Sequence, residues 1–479
     1  MFVDREAELD FLQRIQQQHY PGPGQLIMLY GRRRVGKTAL LRRWAEASGL
    51  PWIYWMAQKE PAALQRRKLF AQILGRGPLA GTVPTFASWS DLWDVAAANL
   101  TSRKQLLILD ELPYAAEADP AMLSALQLAW DQHFEQSPLM IALCGSHVRA
   151  METLLAAQSP LFGRMTGQWR LHPLPFGALR SFFPTWSAEE QVAAYAIVGG
   201  VPAYLRWFDP AQSLSSNLRQ RILVPGSLAL AEVEFLLYDE VREPRVYLAI
   251  LQALGNGAHT LAQISAAAMV APSNLGAYLA TLQDLRLVER RIPATLHPSR
   301  QRSSKQGRYH LSDPFHRFYF RFLQPYEAEV SYQPEGVLKL IQEQLRAFVG
   351  ATAWEELARQ WVRSAAQRGS LAIVPETIGS HWSRTVQADV IGINWRERVM
   401  LIGECKWGAE RVDKAVVRDL LERTIPLVLA DLSDKEAAWR VVPLLFTRAG
   451  LTPAAHALLS EHDGLAIDTM RLWSDLALG

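Results

Sequence analysis

The sequence predicts a multidomain α/β protein, and three patterns along the chain predict it. Short apolar runs alternate with helical stretches in the first 180 residues, which is the order of a parallel sheet covered by helices. A mainly helical region with a helix-turn-helix pattern comes next. The last part contains two strand-like runs joined by a polar turn. We therefore expect four domains, at residues 1–180, 181–243, 244–325 and 335–479.

The composition is that of a globular protein. The 479 residues are 49% hydrophobic, enough for more than one core, and the formal net charge is only +3. Any nucleic-acid surface would therefore have to be local. Cys144 and Cys405 lie far apart in apolar runs, which indicates a reducing compartment. No apolar run reaches the ~18 residues of a membrane span, so we expect a cytoplasmic protein without membrane contact.

The apolar run at residues 25–30 leads into a glycine-containing basic turn. Residues 31–38 read GRRRVGKT, which matches GxxxxGK followed by Ser or Thr, and a helical stretch follows. In such a loop the backbone N–H groups close around phosphates, the lysine reaches the β- and γ-phosphates and the hydroxyl faces Mg²⁺. The sequence therefore predicts a site for ATP and Mg²⁺ at Gly31, Arg34, Gly36, Lys37, Thr38 and Ala39.

A pair of acids follows the apolar run at residues 106–109. A continuous apolar run is typical of a buried parallel strand, and carboxylates at its carboxyl end face the ligand crevice. We expect Asp110 to hold Mg²⁺ and Glu111 to orient or deprotonate the attacking water, so that ATP is hydrolysed. The alternative is a solvated turn before Pro113.

Two helical modules are expected in the middle of the chain. Residues 188–238 have helical periodicity and carry the segment GGVPAYL, which suits a small lid over the nucleotide; the alternative is a plain helical connection. Residues 244–311 read as three helices and then two short strands, at 287–292 and 308–311, which is the order of a winged helix. Its third helix would take the recognition position.

The loop of this winged helix is basic. Six cations and no acid occur between residues 290 and 308, and such a surplus suits contacts with the phosphates of DNA or RNA. The cations are Arg290, Arg291, Arg300, Arg302, Lys305 and Arg308. The alternative is a module that contacts another protein.

Three polar side chains of the last domain are expected to meet. A hairpin centred on residues 394–397 places Asp389 opposite Glu404 or one rung away, close enough for two carboxylates to share a divalent cation. Lys406 projects to the same face of its strand as Glu404, whereas Cys405 points to the opposite face. The pattern predicts a metal-dependent phosphodiesterase in which Asp389 and Glu404 hold Mg²⁺ and Lys406 stabilises the transition state. The alternative is a salt bridge between Glu404 and Lys406.

Together these motifs make the chain resemble the archaeal-type ATPase family, in the STAND branch of AAA-like P-loop NTPases. The shared segments are FVDREAEL at 2–9, the phosphate-binding loop, LDE at 109–111, CGS at 144–146, PLFGR at 160–164 and GGVP at 199–202. The resemblance implies that Arg5 lies near the adenine, that Ser146 is a sensor and that Arg164 senses phosphate. Because such an arginine acts in some members from a neighbouring subunit, a second copy of the chain is one implied partner.

The carboxyl-terminal part resembles the restriction-endonuclease-like domain of unknown function that is attached to many of these ATPases. The Asp and Glu-x-Lys residues usual in that domain are matched by Asp389, Glu404 and Lys406. The resulting hypothesis is a cytoplasmic, Mg²⁺-dependent regulatory ATPase whose nucleotide state controls a DNA-binding winged helix and a nuclease-type domain. The alternative is a signalling switch without nuclease activity, in which the winged helix and the last domain bind a protein.

Overall fold

A computed structural model gives the fold and describes residues 2–18, 22–77, 83–241, 243–301, 304–371, 373–432 and 438–477. Contacts divide the chain into two compact units, Met1–Leu174 and Pro175–Gly479. The finer division into four domains stays a prediction. No helix among the described residues is long and apolar enough to cross a membrane.

The first unit is built on one five-stranded sheet in which all strands are parallel. The strands are β1 (Gln25–Tyr30), β2 (Trp52–Met56), β3 (Gln105–Asp110), β4 (Leu139–Gly145) and β5 (Gly167–Arg170). Their order across the sheet is β2-β3-β4-β1-β5, so β4 separates β1 from β3. The carboxyl ends of β1, β3 and β4 therefore meet at the same edge, with that of β4 in the middle.

Helices cover both faces of this sheet, as the apolar runs in the sequence predicted. The helices are α1 (Glu6–Gln17), α2 (Lys37–Ala47), α3 (Ala62–Ile73), α4 (Trp89–Leu100), α5 (Leu112–Ala118), α6 (Ala121–Ala129) and α7 (Val148–Thr153). Successive residues of β1 enter different cores, because side chains alternate along a strand: Leu26 and Met28 join one cluster, and Ile27 and Leu29 join the other. Each residue of β1, β3 and β4 is buried.

The second unit begins with a helical region and a winged helix. Its first helices are α8 (Leu179–Phe182), α9 (Ala188–Val198), α10 (Pro202–Leu205), α11 (Leu214–Asn217) and α12 (Leu228–Glu240). The winged helix consists of α13 (Pro244–Gly255), α14 (Leu261–Ala268), α15 (Pro272–Asp284), β6 (Val288–Arg291), α16 (Pro298–Gln301) and β7 (Arg308–Leu311). β6 and β7 pair antiparallel, as predicted, and α15 buries Leu275, Leu279 and Leu282 against the other helices.

A second sheet forms the carboxyl-terminal part of this unit. It is reached through α17 (Pro314–Phe318), α18 (Glu327–Tyr332), α19 (Pro334–Val349) and α20 (Glu355–Gln367). The remaining elements are β8 (Thr377–Trp382), β9 (Gln387–Asn394), β10 (Val399–Lys406), α21 (Lys414–Asp419), α22 (Ile425–Ala430), β11 (Arg440–Thr447), α23 (Pro453–Ser460), β12 (Leu465–Asp468) and α24 (Thr469–Asp475). The strand order is β12-β11-β10-β9-β8, with β9 antiparallel to β8 and β10 and the other pairs parallel.

Single π-helical turns extend several of these helices. They occur at Trp130–Phe134, Leu218–Ile222, Tyr319–Leu323, Gly350–Trp354 and Leu420–Thr424, and 3₁₀ turns occur at Phe176–Ala178 and Gln324–Tyr326. The turn at Gly350–Trp354 joins α19 to α20 without a break, so residues 334–367 form one helical run. The predicted multidomain α/β fold is confirmed, including the parallel sheet, the winged helix and the separate carboxyl-terminal sheet.

Candidate functional site

The phosphate-binding loop connects β1 to α2, and two of its residues have a left-handed backbone conformation. Arg34 has φ +67° and Gly36, which precedes the helix, has φ +97°. A Cβ atom added to Gly31 would lie 2.3 Å from the carbonyl oxygen of Leu171, so only glycine fits where the loop passes the end of β5. The loop is thus wrapped around the start of α2, whose first N–H groups have no partner within the helix.

Lys37 lies inside this loop and is buried. Its Nζ atom donates to the carbonyl oxygens of Gly31 at 2.8 Å and Arg32 at 3.1 Å. Burial lowers the pKa of this ammonium group from its ordinary value. A phosphate in the loop would offer Lys37 a charged acceptor, which is a stronger partner than a neutral carbonyl.

Asp110 lies at the carboxyl end of β3, where its side chain is hydrogen-bonded both to the end of the phosphate-binding loop and to the neighbouring strand β2. Its Oδ2 atom accepts from the Thr38 hydroxyl at 2.9 Å and from the Tyr54 hydroxyl at 2.7 Å. Burial, followed by the hydrogen bond to Asp110, raises the pKa of Tyr54, so this phenol remains a donor. Sequence reasoning missed Tyr54, because nothing in a strand's own residues shows which strand it will pair with.

Glu111 follows Asp110 and is held by Ser146. The Oε2 atom of Glu111 accepts from the backbone N of Ser146 at 3.0 Å and from its hydroxyl at 2.9 Å. Glu111 itself has φ +50°, a left-handed conformation that costs a non-glycine residue about 1 kcal/mol or more. Ser146 comes directly after β4, and β4 lies between β3 and β1 in the sheet. This strand order brings Ser146 beside the carboxylate of Glu111.

The two arginines implied by the family resemblance have different surroundings. Arg5 donates to the carbonyl oxygens of Val35 at 3.1 Å and His172 at 2.8 Å, which fastens the amino-terminal segment to the phosphate-binding loop. Arg164 makes two 2.7 Å hydrogen bonds to the carboxylate of Asp131. The roles of Arg5 near the adenine and of Arg164 as a phosphate sensor stay predictions.

In the carboxyl-terminal sheet, β9 and β10 have the predicted hairpin register. Gly403 lies opposite Val390, so the next rung places Asp389 opposite Glu404. Asp389 Oδ2 also accepts from the backbone N of Cys405 at 3.0 Å. The Nζ atom of Lys406 donates to Glu404 Oε2 at 3.1 Å, so the structure brings these polar groups together at the end of the hairpin.

The pKa values of Glu404 and Lys406 reflect the charged groups that lie close together at the end of the hairpin. Burial, and then the charge of Asp389, raise the pKa of Glu404. Burial alone would lower the pKa of Lys406, but the adjacent Glu404 outweighs it and the pKa is raised. A divalent cation between the two carboxylates would remove their repulsion, and hard oxygen donors are the ligands that Mg²⁺ and Mn²⁺ prefer.

Glu355, which sequence reasoning missed, is a third acid near this pair. It is the first residue of α20, a helix that packs against β9. Burial, and then the charge of Asp389, raise the pKa of Glu355 to about 7. Among the described residues no three His, Cys, Asp or Glu side chains are already grouped as a metal site, so Glu355 is a neighbour of the pair and not a demonstrated ligand.

The basic loop of the winged helix is less open than its sequence suggests. Arg291 is neutralised by Glu289, which lies just outside the acid-free stretch, with 2.6 Å between Nε and Oε1. Arg290 donates to the carbonyl oxygen of Ser304, whereas Arg300 and Lys305 are exposed. Arg302 lies outside the described residues. The helix in the recognition position, α15, contains neither Lys nor Arg.

The loop after β1 and the acids after β3 define the first unit as a P-loop nucleoside triphosphatase domain. The chain belongs to the archaeal-type ATPase family: residues 2–208 match a family described as an ATPase domain predominantly from Archaea. Residues 319–417 match a family described as "Archaea bacterial proteins of unknown function". The protein is therefore an ATPase, as its motifs predicted.

Two relatives come from Methanocaldococcus jannaschii. The uncharacterized protein MJECL04 is 31% identical over 448 residues, covering 92% of this chain and 95% of that protein. The uncharacterized ATP-binding protein MJ0423 is 50% identical over 46 residues, covering 10% of this chain and 73% of that protein. Among solved structures, the Walker-type ATPase PABY2304 of Pyrococcus abyssi is similar with a TM-score of 0.47 and 20% identity, covering 67% of this chain and 96% of that one. The ORC2 protein of Aeropyrum pernix is similar with a TM-score of 0.43 and 15% identity, covering 72% and 94%.

Proposed function

We propose that this protein is a STAND-type regulatory ATPase whose nucleotide state controls a metal-dependent nuclease in its carboxyl-terminal domain. The nuclease proposal rests on one arrangement at the end of the β9–β10 hairpin. The paired register ends at Val390 and Gly403, so Asp389 and Glu404 are the next residues on the two strands, and Lys406 donates to Glu404. Asp389 and Glu404 would hold Mg²⁺ or Mn²⁺, which supplies a Lewis acid and an activated water in phosphodiester cleavage. Lys406 would then stabilise the charge that develops on the phosphate.

In the ATPase domain we assign one role to each group at the edge of the sheet. Lys37 and the loop N–H groups bind the phosphates, and Thr38 and Asp110, already 2.9 Å apart, would hold Mg²⁺. Glu111 orients the attacking water and accepts its proton. Ser146 acts through Glu111: its two hydrogen bonds fix the direction of the carboxylate, so Ser146 is a positioning residue.

Ser146→Ala tests this positioning role. The substitution removes the hydroxyl donor and keeps the backbone N–H, and a hydrogen bond to a charged group is worth roughly 1.5–3 kcal/mol. We expect kcat for ATP to fall about tenfold, with KM nearly unchanged, because nucleotide contacts are not altered. Ser146→Thr keeps the hydroxyl and should retain most of the rate. A wild-type kcat for Ser146→Ala would show that the hydroxyl does not position Glu111.

The proposal that the carboxyl-terminal domain is controlled by the rest of the chain is supported by a buried polar network within the second unit. Arg317 on α17 pairs with Glu356 on α20 at 2.9 Å. The hydroxyl of Tyr195 on α9 donates to Glu356 at 3.4 Å and accepts from Gln360 at 3.1 Å. A shift of α9 would therefore be transmitted to α20, the helix that begins with Glu355 and packs against β9.

The winged helix is proposed to add duplex affinity without sequence specificity. Arg300 and Lys305 are exposed on the wing loop, and the exposed face of α15 offers Ser273 and Asn274 but no cation. Contacts of this kind reach phosphates and not base edges. Binding should therefore depend steeply on salt, since each phosphate contact on B-DNA contributes about 0.9 to the slope of log affinity against log salt.

Reversing Arg300, Arg302 and Lys305 to Glu together should weaken duplex binding and lower that slope by about 2.7. The measurement is fluorescence anisotropy of a labelled duplex at several salt concentrations. Arg346→Glu is the control, because Arg346 is an exposed arginine on α19, outside the wing. Unchanged affinity of the triple variant at low salt would contradict the DNA proposal and favour the alternative of a signalling switch whose winged helix contacts a protein.

A further inference from the structure

A cavity of about 430 Å³ lies inside the second unit, beside the strands of the wing. We name it the wing cavity. Its charged and titratable lining includes Arg291, Arg308, Arg317, Arg321, His259 and His310. Among the residues that the structure describes, Glu355 is the one carboxylate in its lining. The cavity is therefore strongly cationic, although the whole chain has a net charge of only +3.

Two of the four arginines have no carboxylate partner in the described part of the chain. Arg308 lies over the ring of Trp382, 5.0 Å from its centroid, and Arg321 donates to the side-chain oxygen of Gln344 at 2.7 Å. The other two arginines are paired, Arg291 with Glu289 and Arg317 with Glu356. The cavity thus retains positive charge at Arg308 and Arg321 that no carboxylate of the described residues neutralises.

The arrangement also places like charges directly opposite each other. Arg291 and Arg308 are cross-strand partners on β6 and β7, a position where like charges destabilise a sheet. Burial, and then the charge of Arg291, lower the pKa of His310 to about 2, so this imidazole stays neutral beside the arginines. A bound anion would relieve this repulsion, which no described carboxylate does for Arg308.

The remaining walls fit a nucleotide better than a simple anion. The His259 ring stacks on His310 with 4.3 Å between centroids, and Leu254, Leu311 and Phe348 add an apolar surface for a base. The volume is in the range of small-molecule sites, roughly 300–1,000 Å³. A duplex, whose major groove alone is about 12 Å wide, cannot enter.

We propose that the wing cavity binds a phosphate-bearing nucleotide, either free or as the end of a single strand. Arg308 and Arg321 would contact the phosphate, and the stacked histidines and Phe348 would contact the base. Glu355 on the wall places the bound phosphate next to the acids of the carboxyl-terminal sheet. The binding itself does not depend on the proposed nuclease activity, so the two proposals can fail separately.

The test measures binding to the full chain carrying Lys37→Ala, which removes the phosphate-binding lysine of the ATPase domain. The probes are thymidine 5′-monophosphate, followed by calorimetry, and a labelled ten-nucleotide single strand, followed by anisotropy. Arg308→Gln together with Arg321→Gln should weaken binding at least about tenfold, because two charged donors to the phosphate are replaced by neutral amides. For the strand, the salt slope should also fall by about 1.4, at roughly 0.7 per contact. Arg346→Gln, which removes one positive charge at a residue that does not line the cavity, should have no effect.

The outcomes separate the two sources of the phosphate. If the double variant loses binding of both probes, a free nucleotide is supported as the ligand. If it loses binding of the ten-nucleotide strand alone, the end of a single strand is supported as the ligand. The proposal is overturned if neither probe binds, or if both bind the double variant as tightly as the parent chain. Circular dichroism and thermal unfolding of each variant confirm that a loss does not come from misfolding. A further double variant, His259→Gln with His310→Gln, keeps both arginines. It should weaken the binding of the nucleotide but not the binding of inorganic phosphate.

Discussion

Glu111→Gln is expected to bind ATP normally and to turn it over at least ~100-fold more slowly, because general-base or water-orienting assistance is typically worth that much. The side-chain oxygen of glutamine can still accept from the Ser146 hydroxyl and N–H, which now hold Glu111 at 2.9 and 3.0 Å. What the amide cannot do is take a proton from water. The variant therefore separates binding, which should persist, from hydrolysis, which should not.

The measurement is steady-state ATP hydrolysis together with calorimetric titration of ATP. Lys37→Ala is the opposite control: it removes the buried ammonium group inside the loop and should abolish ATP binding as well as turnover. Glu117→Gln, an exposed acid on α5 a few residues away, should leave both unchanged. A wild-type rate in Glu111→Gln would mean that Glu111 does not act on the water.

Asp389→Ala and Glu404→Ala are each expected to remove divalent-metal binding and cleavage from the carboxyl-terminal domain. Lys406→Ala should retain the metal and lose the rate, because an ammonium group stabilises developing charge and does not ligate Mg²⁺. The structure supports this separation, since Asp389 and Glu404 directly follow the last paired residues of β9 and β10, while the Lys406 ammonium group donates to Glu404. Calorimetric titration of Mn²⁺ into the full chain, beside a cleavage assay, distinguishes ligands from the electrostatic group.

A purely structural salt bridge would give a different result. Removing one partner of a buried ion pair costs roughly 3–5 kcal/mol of stability, with or without metal. Because Lys406 is about two-fifths exposed, solvent screens the pair and the loss of stability should lie below this range. Urea unfolding of the three variants, with Glu410→Ala as an exposed control in the same domain, therefore tests the alternative. Equal destabilisation of Glu404→Ala and Lys406→Ala that is unaffected by Mn²⁺ would favour the salt bridge.

Features that depend on neighbouring residues were predictable from the sequence. The phosphate-binding loop is one continuous segment between a strand and a helix, and the hairpin register of Asp389 and Glu404 follows from the position of its turn. The same reasoning predicted β1, β3 and β4, because strands buried on both faces are continuous apolar runs. The winged helix was predictable from its order of elements.

Features that depend on packing between distant elements were not predictable. Tyr54 reaches Asp110 only because β2 pairs with β3, and Glu355 approaches Asp389 only because α20 packs on β9. The wing was expected to expose six cations, but Glu289 neutralises Arg291, and Arg308 turns to a cavity. Ser146 was inferred from family resemblance, and the strand order of the sheet supplies its physical reason.

The most direct test of ATP control over a nuclease is a cleavage assay on the full chain. Single- and double-stranded DNA and RNA are incubated with Mg²⁺ or Mn²⁺, with and without ATP, using the wild-type chain, Lys37→Ala and Asp389→Ala. The predicted result is cleavage by the wild-type chain that changes with ATP, does not respond to ATP in Lys37→Ala and is absent in Asp389→Ala. If the wild-type chain takes up no metal and cuts none of these substrates, the nuclease proposal is contradicted and the carboxyl-terminal domain is a docking module.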